Sequence, residues 1–361
     1  MLYTATEPFQ QIHQLSTKNY NMRIAIHHRP CSYSELWIEY CQRHNIQYKI
    51  VDAYANDIIE QVADCNAFMW HHHLHQYKDY LFAKQLIYII EKQMGKVTYP
   101  DFDTCWHYDD KIGQKYLLSA IGAPLIPTYI FYNRQDALVW IKQTTFPKVF
   151  KLRSGASATN VHLVSSLKDA QRLVKQAFGV GFEKNNYFRW LADRWAQYKR
   201  GGCNFRWLIR GLFTFYPYKE RFHKEEMGYV YFQDFIPNNN FDIRVLIIGN
   251  RAVAKKRMNR PNDFRASGSG NLIFDKEEID IKFIKAAFET NRNLKMHSVA
   301  FDFLLNQSGE PVISEISYCC GIKSNKDYPG YWTPDLQWHD CSDINICDWI
   351  MEDVISKIKN Q

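Results

Sequence analysis

The chain has 361 residues, enough for two or three domains, and its 46% hydrophobic, 16% aromatic and 23% charged content excludes a disordered or low-complexity protein. A formal net charge of +7 is moderate for that length and suits an anionic ligand as well as nucleic acid. The apolar stretches are too short to span a bilayer, no basic-then-apolar signal opens the chain, and nine scattered cysteines form no CxxC pair, so a cytoplasmic protein with reduced thiols and no membrane insertion is expected.

Residues 1–21 read as a loosely ordered leader. Short apolar runs at 22–27, 47–52, 67–70 and 96–99 predict strands, and amphipathic spacing at 33–44 and 77–93 predicts helices between them. That alternation is a small α/β domain over residues 1–104, without the GxGxxG turn of a dinucleotide fold. A helix over 109–120 carries Asp109-Asp110-Lys111 in its first turn, and a strand at 128–132 and a helix at 134–143 follow. The strand at 147–152 delivers Lys151 into a run of small residues, Ser154 to Thr159, before a helix at 166–178. Strands at 230–235, 241–249 and 252–258, joined by Asn- and Gly-containing turns, predict an antiparallel sheet. A helix at 276–289, a hairpin of 299–305 with 311–317, and a tail helix at 344–359 complete the chain.

The hairpin carries the sharpest chemical signal. With a two-residue turn at Ser308-Gly309, Asp302 lies directly opposite Glu315, with Ser317 on the same face and Phe301, Phe303, Val312 and Ile316 on the other. Opposed carboxylates repel unless a cation bridges them. A hard cation held by only two carboxylates completes its shell with phosphates, which describes Mg²⁺ with a nucleotide. Lys151 at a strand end, beside small residues whose N–H groups are accessible, suits those phosphates. Each feature taken singly has a bland reading, as exposed strand residues or a simple turn; the combination does not.

With these residues placed, the chain resembles the ATP-grasp superfamily, in particular the ribosomal-protein glutamate ligases and glutathione-synthetase-like enzymes. The resemblance spans roughly residues 105–325 through DDK (109–111), VFK with its small-residue loop, QDFI (233–236), FDIR (241–244), DFR (263–265), AFDF (300–303) and SEIS (314–317). It implies an ATP-grasp fold of α/β and α+β parts. A Rossmann-like pre-ATP-grasp domain occupies 1–104, a small subdomain with an insertion at 181–230 occupies 105–232, and a metal-bearing subdomain occupies 233–361, with nucleotide between the last two.

The resemblance also implies roles. Lys111 and Lys151 contact ATP phosphates beside the loop of Ser154, Gly155, Ala156 and Ser157. Gln233, Asp234, Phe235 and Ile236 form a hinge along the adenine, its edge read by backbone groups, and Asp242 lies near the ribose. Arg257 and Arg265 reach the γ-phosphate and the acceptor carboxylate, and with Lys151 are the catalytic set. Asp302 and Glu315 hold Mg²⁺, as two ions, with Mn²⁺ an alternative. Relatives usually carry Asn two residues after the metal-binding Glu, where this chain has Ser317, and the hinge acid is commonly Glu where this chain has Asp234.

The implied reaction joins a carboxylate to an amine through an acyl phosphate, releasing ADP and phosphate. Substrate identity is expected in 181–230, where residues 183–224 hold ten Lys/Arg against three Asp/Glu, interleaved with Trp190, Trp195 and Trp207. That segment reads equally as a solvated amphipathic subdomain or as a basic aromatic wall for an acidic saccharide acceptor of a surface-polysaccharide pathway. Alternatives are a non-catalytic ATP-binding scaffold, a peptide or amino-acid ligase unrelated to saccharides, and, less favoured, nucleic-acid binding; a homodimer is compatible with the sequence. The histidines at 71–73 and 75 read as structural or substrate-proximal rather than metal ligands, His27 and His28 as candidates for an interdomain cleft, and Cys319 and Cys320 as packing residues.

Overall fold

Alternation of apolar and polar positions sorts the chain into three sheets. The structure is a computed structural model, and it describes residues 22–73, 76–154, 161–182, 195, 226–260, 263–266, 269–319 and 327–361. The leader, the loop glycine and its neighbours at 155–160, and nearly all of 183–225 lie outside the described residues.

The first sheet is parallel, in the order β2-β1-β3-β4, from β1 (Arg23–His27), β2 (Gln47–Val51), β3 (Ala67–Met69) and β4 (Val97–Tyr99). Helix α1 (Tyr33–Arg43) links β1 to β2, α2 (Ile58–Ala63) links β2 to β3, and α3 (Tyr77–Tyr88) continues into a π-helical turn at Ile89–Gln93 before β4. The single turn and a half of α2 is too short to show helical periodicity, and sequence reading passed over it. Helix α4 (Phe102–Cys105) and helix α5 (Lys111–Ala120) follow. Asp110, rather than a residue within the helix, is the α5 N-cap, its carboxylate accepting from the Gly113 N–H at 2.9 Å. Leu118 of α5 packs into the core of the last sheet and not of the second, so residues up to about 126 belong by packing with the C-terminal part.

The second sheet is antiparallel in the order β5-β8-β6-β7, from β5 (Thr128–Phe131), β6 (Lys148–Lys151), β7 (Val161–Val164) and β8 (Val230–Asp234). Helices α6 (Arg134–Gln143) and α7 (Leu167–Ala177) cover the face that carries Phe150, Val230 and Phe232.

The third sheet runs β13-β12-β9-β10-β14-β15, with β11 (Leu272–Ile273) added to β10. Its longer strands are β9 (Phe241–Ile248), β10 (Arg251–Met258), β12 (Ser298–Leu305) and β13 (Pro311–Ser317), with β13 at one edge and β14 (Gly330–Trp332) and β15 (Trp338–Asp340) extending the other. Strands β14 and β15 are three residues each, too short for alternation to register. Odd positions of β9 and β12 (Ile243, Val245, Ile247, Phe301, Phe303) bury against α8 (Ile281–Leu294). The opposite face carries Leu246, Ile248, Val253 and Ala300 against the first domain and the tail helix α9 (Ile346–Lys359). At about 2 kcal/mol per large apolar side chain removed from water, these two layers clamp the sheet from both sides. Further along that second face, period two brings up Asp242, Arg244, Arg257 and Asp302, where the apolar cover ends.

The hairpin register corrects one expectation. Asn306 and Glu310 close a three-residue loop with Gly309 at φ +76°, not a two-residue turn, so Leu304 faces Val312 and Phe303 faces Ile313. A bulge between Asp302 and Phe303 leaves Ser314 as the extra residue and returns Asp302 to Glu315. The bulge also gives the core position to Ile313, fully buried, where Val312 was expected.

Candidate active site

The three sheets converge on one cleft of about 770 Å³. Of the site residues read from the sequence that are described, Lys111, Lys151, Gln233, Asp234, Phe235, Ile236, Asp242, Arg257, Arg265, Asp302, Glu315 and Ser317 all line it. Gly155, Ala156 and Ser157 lie outside the described residues. Ser154 does not line the cleft: it is buried, and its hydroxyl donates to the Glu226 carboxylate.

Two ammonium groups enter from separate elements. Lys111 is the first residue of α5, and Lys151 ends β6 in register with Tyr231. Both are buried. Lys111 Nζ lies 3.1 Å from Glu315 Oε1; burial disfavours its charge, but Glu315 and Asp109 outweigh that and raise its pKa. Lys151 is poorly compensated. Its Nζ donates to the Ser314 carbonyl at 3.4 Å, and burial pulls its pKa down to about 8, against a partial opposing pull from Glu315. A buried ammonium with so weak a partner, in the wall of a cleft, is matched to an anion.

The acids and arginines form one network. Asp302 sits in register with Arg244 on β9 and Arg257 with Asp242 across β10. Arg244 forks onto Asp302 at 2.6 and 2.7 Å, and Arg257 onto Asp242 at 2.5 and 2.6 Å while reaching Asp302 Oδ2 at 2.9 Å. Burial favours neutral Asp302, but the two guanidinium groups dominate and hold its carboxyl well below the usual range. Asp242, with burial the larger influence, is shifted upward despite Arg257. Its oxygens are taken by Arg257, so its first partner is a guanidinium rather than a ribose. Arg265 forks onto Asp263 at 2.7 to 3.0 Å.

Two more side chains have partners of their own. Ser317 Oγ donates to the Cys319 carbonyl at 3.1 Å, which turns it toward its own chain. Asp234 shares the β8 face of Phe232, away from Gln233 and Lys151, and Lys148 Nζ holds its Oδ1 at 2.6 Å. Its backbone, not its carboxylate, is therefore the part toward the cleft. Among the described residues, no group of three or more His, Cys, Asp or Glu side chains is disposed to hold a metal ion. Glu315, beside two buried ammonium groups, fits a metal–triphosphate pair in which phosphate oxygens complete the coordination. Asp302 has both oxygens on Arg244 and one also on Arg257, and would join that coordination by giving up one of those contacts.

At the other end of the cleft stand Arg29, Ser32, Glu35, His71 and His73 of the first domain. Ser32 opens α1 without capping it and instead meets His71 Nδ1 at 3.1 Å. Arg29 donates to the His71 carbonyl at 3.1 Å and pairs with Asp79 at 3.3 Å. His27 and His28 do not line the cleft: His27 Nδ1 accepts from Ala53 N–H at 2.9 Å, and its ring packs against Tyr54 and Trp70. Leu74 and His75 are outside the described residues.

Sequence reading missed Arg244, Asp109, Gln114 and Arg29. Arg244 carried a usable signal, since FDIR puts it two residues from Asp242 on the same strand face and alternation alone aims both at one side. Asp109 is buried at φ +55°, and nothing in a DDK string marks which Asp faces inward.

Residues 223–330 match the family model for a RimK-like ATP-grasp domain. No curated protein matches the chain by sequence. Similar solved structures include a RimK-domain ATP-grasp protein from Sphaerobacter thermophilus, at 13% identity and a TM-score of 0.54, covering 92% of this chain and 99% of that one. D-cycloserine synthetase DcsG matches at 11% identity and 0.56 over 93% and 99%, and D-alanine–D-alanine ligase from Bacillus anthracis at 16% and 0.51 over 94% and 99%. At such identities the likeness is one of fold. None of the described helices is long and apolar enough to cross a membrane. The RimK-like ATP-grasp domain match covers residues 223–330, from β8 through β13, and the likeness to these neighbours over most of the chain shows an ATP-grasp fold.

Proposed function

We propose that the chain is an ATP-dependent carboxylate–amine ligase. The observation that carries this is the buried, weakly compensated Lys151 beside Lys111, facing Glu315 and Asp302 across one cleft. Ile126, Val149, Ile236 and Leu304 give the same cleft an apolar slot for a base, bordered by the backbone of residues 233–236. Lys111 and Lys151 hold the triphosphate, and Glu315 with Asp302 is the set that would hold Mg²⁺, which supplies charge neutralisation on the phosphates when bound.

In the reading favoured here, a carboxylate oxygen attacks the γ-phosphorus and the bond to the β-phosphate oxygen breaks, releasing ADP. An amine nitrogen then attacks the acyl carbon, phosphate leaves, and the nitrogen loses a proton. No side-chain nucleophile is needed. Arg244, Arg257 and Arg265 are planar donors suited to the charge that develops on the transferring group, and alignment does the rest. Arg29 and the uncapped start of α1 make the first-domain end of the cleft the place for an anionic group of the acceptor. The saccharide expectation rests on residues 183–225, nearly all of them outside the described residues, so the acceptor is given only as a carboxylate.

The test is ADP release screened over sugar acids and amino acids as carboxylates against amino compounds, with Lys151→Ala and Glu315→Ala as controls. The ligase reading expects release that needs both partners and falls in both variants. Equal background release in all three proteins across the panel would overturn it.

A further inference from the structure

Glu226 lies at the foot of the second sheet and belongs to none of the motifs. Its backbone pairs with Phe182 through two hydrogen bonds, of 3.0 and 2.9 Å, closing the neck through which the chain leaves and re-enters around residues 183–225. Its carboxylate turns the other way. One oxygen accepts from buried Ser154, the residue that opens the small-residue loop, and the other accepts from the Tyr229 hydroxyl at 2.8 Å.

The chain of contacts continues to both cleft lysines. Tyr229 is buried, and its oxygen accepts from the Arg153 N–H at 2.6 Å. The Arg153 carbonyl accepts from the Lys111 N–H at 2.9 Å, and the Arg153 side chain pairs with Asp110, the α5 N-cap, at 3.4 Å. Residues 151–154 are thus fixed at Ser154 and at Arg153, and the first residue of α5 is fixed to them. Burial together with Glu226 holds the Tyr229 phenol protonated, so it stays a donor to the carboxylate while accepting from the backbone.

We propose that Glu226 is a positioning residue for the triphosphate site: through Ser154 and Tyr229 it sets the backbone from which Lys151 and Lys111 reach the phosphates. This rests on the reading that those lysines hold nucleotide phosphates. A half-buried carboxylate accepting from two buried hydroxyl donors is a rigid anchor, and rigidity of supporting groups governs how well charged groups meet a ligand.

The experiment is a titration of the full chain with Mg²⁺·ATP and, separately, with adenosine, for wild type, Glu226→Gln and Tyr229→Phe, with thermal melting of each. Glu226→Gln keeps the size but puts an amide donor where an acceptor stood. The expected result is ATP affinity weaker by about tenfold, with adenosine affinity unchanged, and a smaller change in the same direction for Tyr229→Phe. Equal ATP affinity in wild type and Glu226→Gln would overturn the proposal, and so would a parallel loss for adenosine, which marks general damage. Failure of the wild type to bind ATP would overturn the nucleotide reading itself.

Discussion

Asp302 and Glu315 face each other across β12 and β13, yet different cations hold them: Arg244 and Arg257 grip Asp302, while Lys111 pairs with Glu315. Two arginines and the two aspartates 242 and 302 balance in one cluster, buried except for the half-buried Arg244. Asp302→Asn leaves both guanidinium groups with one counter-charge, and about 3–5 kcal/mol of stability should be lost. Glu315 is more exposed, but its partner Lys111 is buried, so Glu315→Gln should cost less than Asp302→Asn, about 1–3 kcal/mol. Urea unfolding of the two variants measures the contrast; equal losses would contradict the clamp.

Lys148 and Lys151 lie on one four-residue strand, three positions apart, and point to opposite faces. Lys151→Met should weaken ATP binding by about 100-fold, the scale of a lost charge-assisted contact to phosphate. Lys148→Met should leave it within about twofold, because its partner Asp234 turns away from the cleft. Calorimetric titration of both variants reads the difference, and a matching loss in Lys148→Met would mean the strand faces are misjudged.

The pKa of Lys151, lowered by burial to about 8, gives a pH signature. Below that value the ammonium is charged and receives phosphate; above it the unliganded protein carries a neutral amine, so ATP affinity should fall as pH rises through about 8, and Lys151→Met should flatten the fall. For stability the sign is reversed. The unfolded chain keeps the ordinary lysine pKa near 10.4 and binds more protons between the two values, so folding should gain stability as pH rises from about 8 to 10.4.

Ser314 is the extra residue of the bulge in the hairpin. Deleting it removes the two-against-one step while keeping Phe303 opposite Ile313 and Asp302 opposite Glu315, so the ladder closes as a regular one with Glu315 still on the cleft face. The expected outcome is soluble protein that keeps ATP binding. Loss of ATP binding in a folded variant would show that the bulge itself, and not the pairing it restores, sets the site.

Much of the scaffold was legible because its strands are amphipathic: β9 separates a face with Phe241 and Ile243 from one with Asp242 and Arg244, β12 separates a face with Val299, Phe301 and Phe303 from one with Asp302, and that separation is written in period two. The pairing of Asp302 with Glu315 was reached from a wrong turn, since a three-residue loop and a compensating bulge give the same pair as a two-residue turn with no bulge. What escaped was whatever depends on partners distant in sequence. Arg244 stood inside a quoted motif, but its role needed Asp302 beside it, 58 residues away. Arg29 and His71 reach the cleft only because the first domain packs on the third sheet. The direction of the Ser154 and Asp234 side chains was likewise set by Glu226 and Lys148, which no local pattern identifies.

The central claim is that Glu315 and Asp302 serve a metal-loaded triphosphate held by the two lysines. Its most direct test is calorimetric titration of ATP into wild type and Glu315→Gln, with and without Mg²⁺. The account predicts that Mg²⁺ strengthens ATP binding to the wild type at least tenfold, about 1.4 kcal/mol, and that Glu315→Gln loses that gain. Equal affinity with and without Mg²⁺ in the wild type, or a full Mg²⁺ gain in the variant, would contradict it.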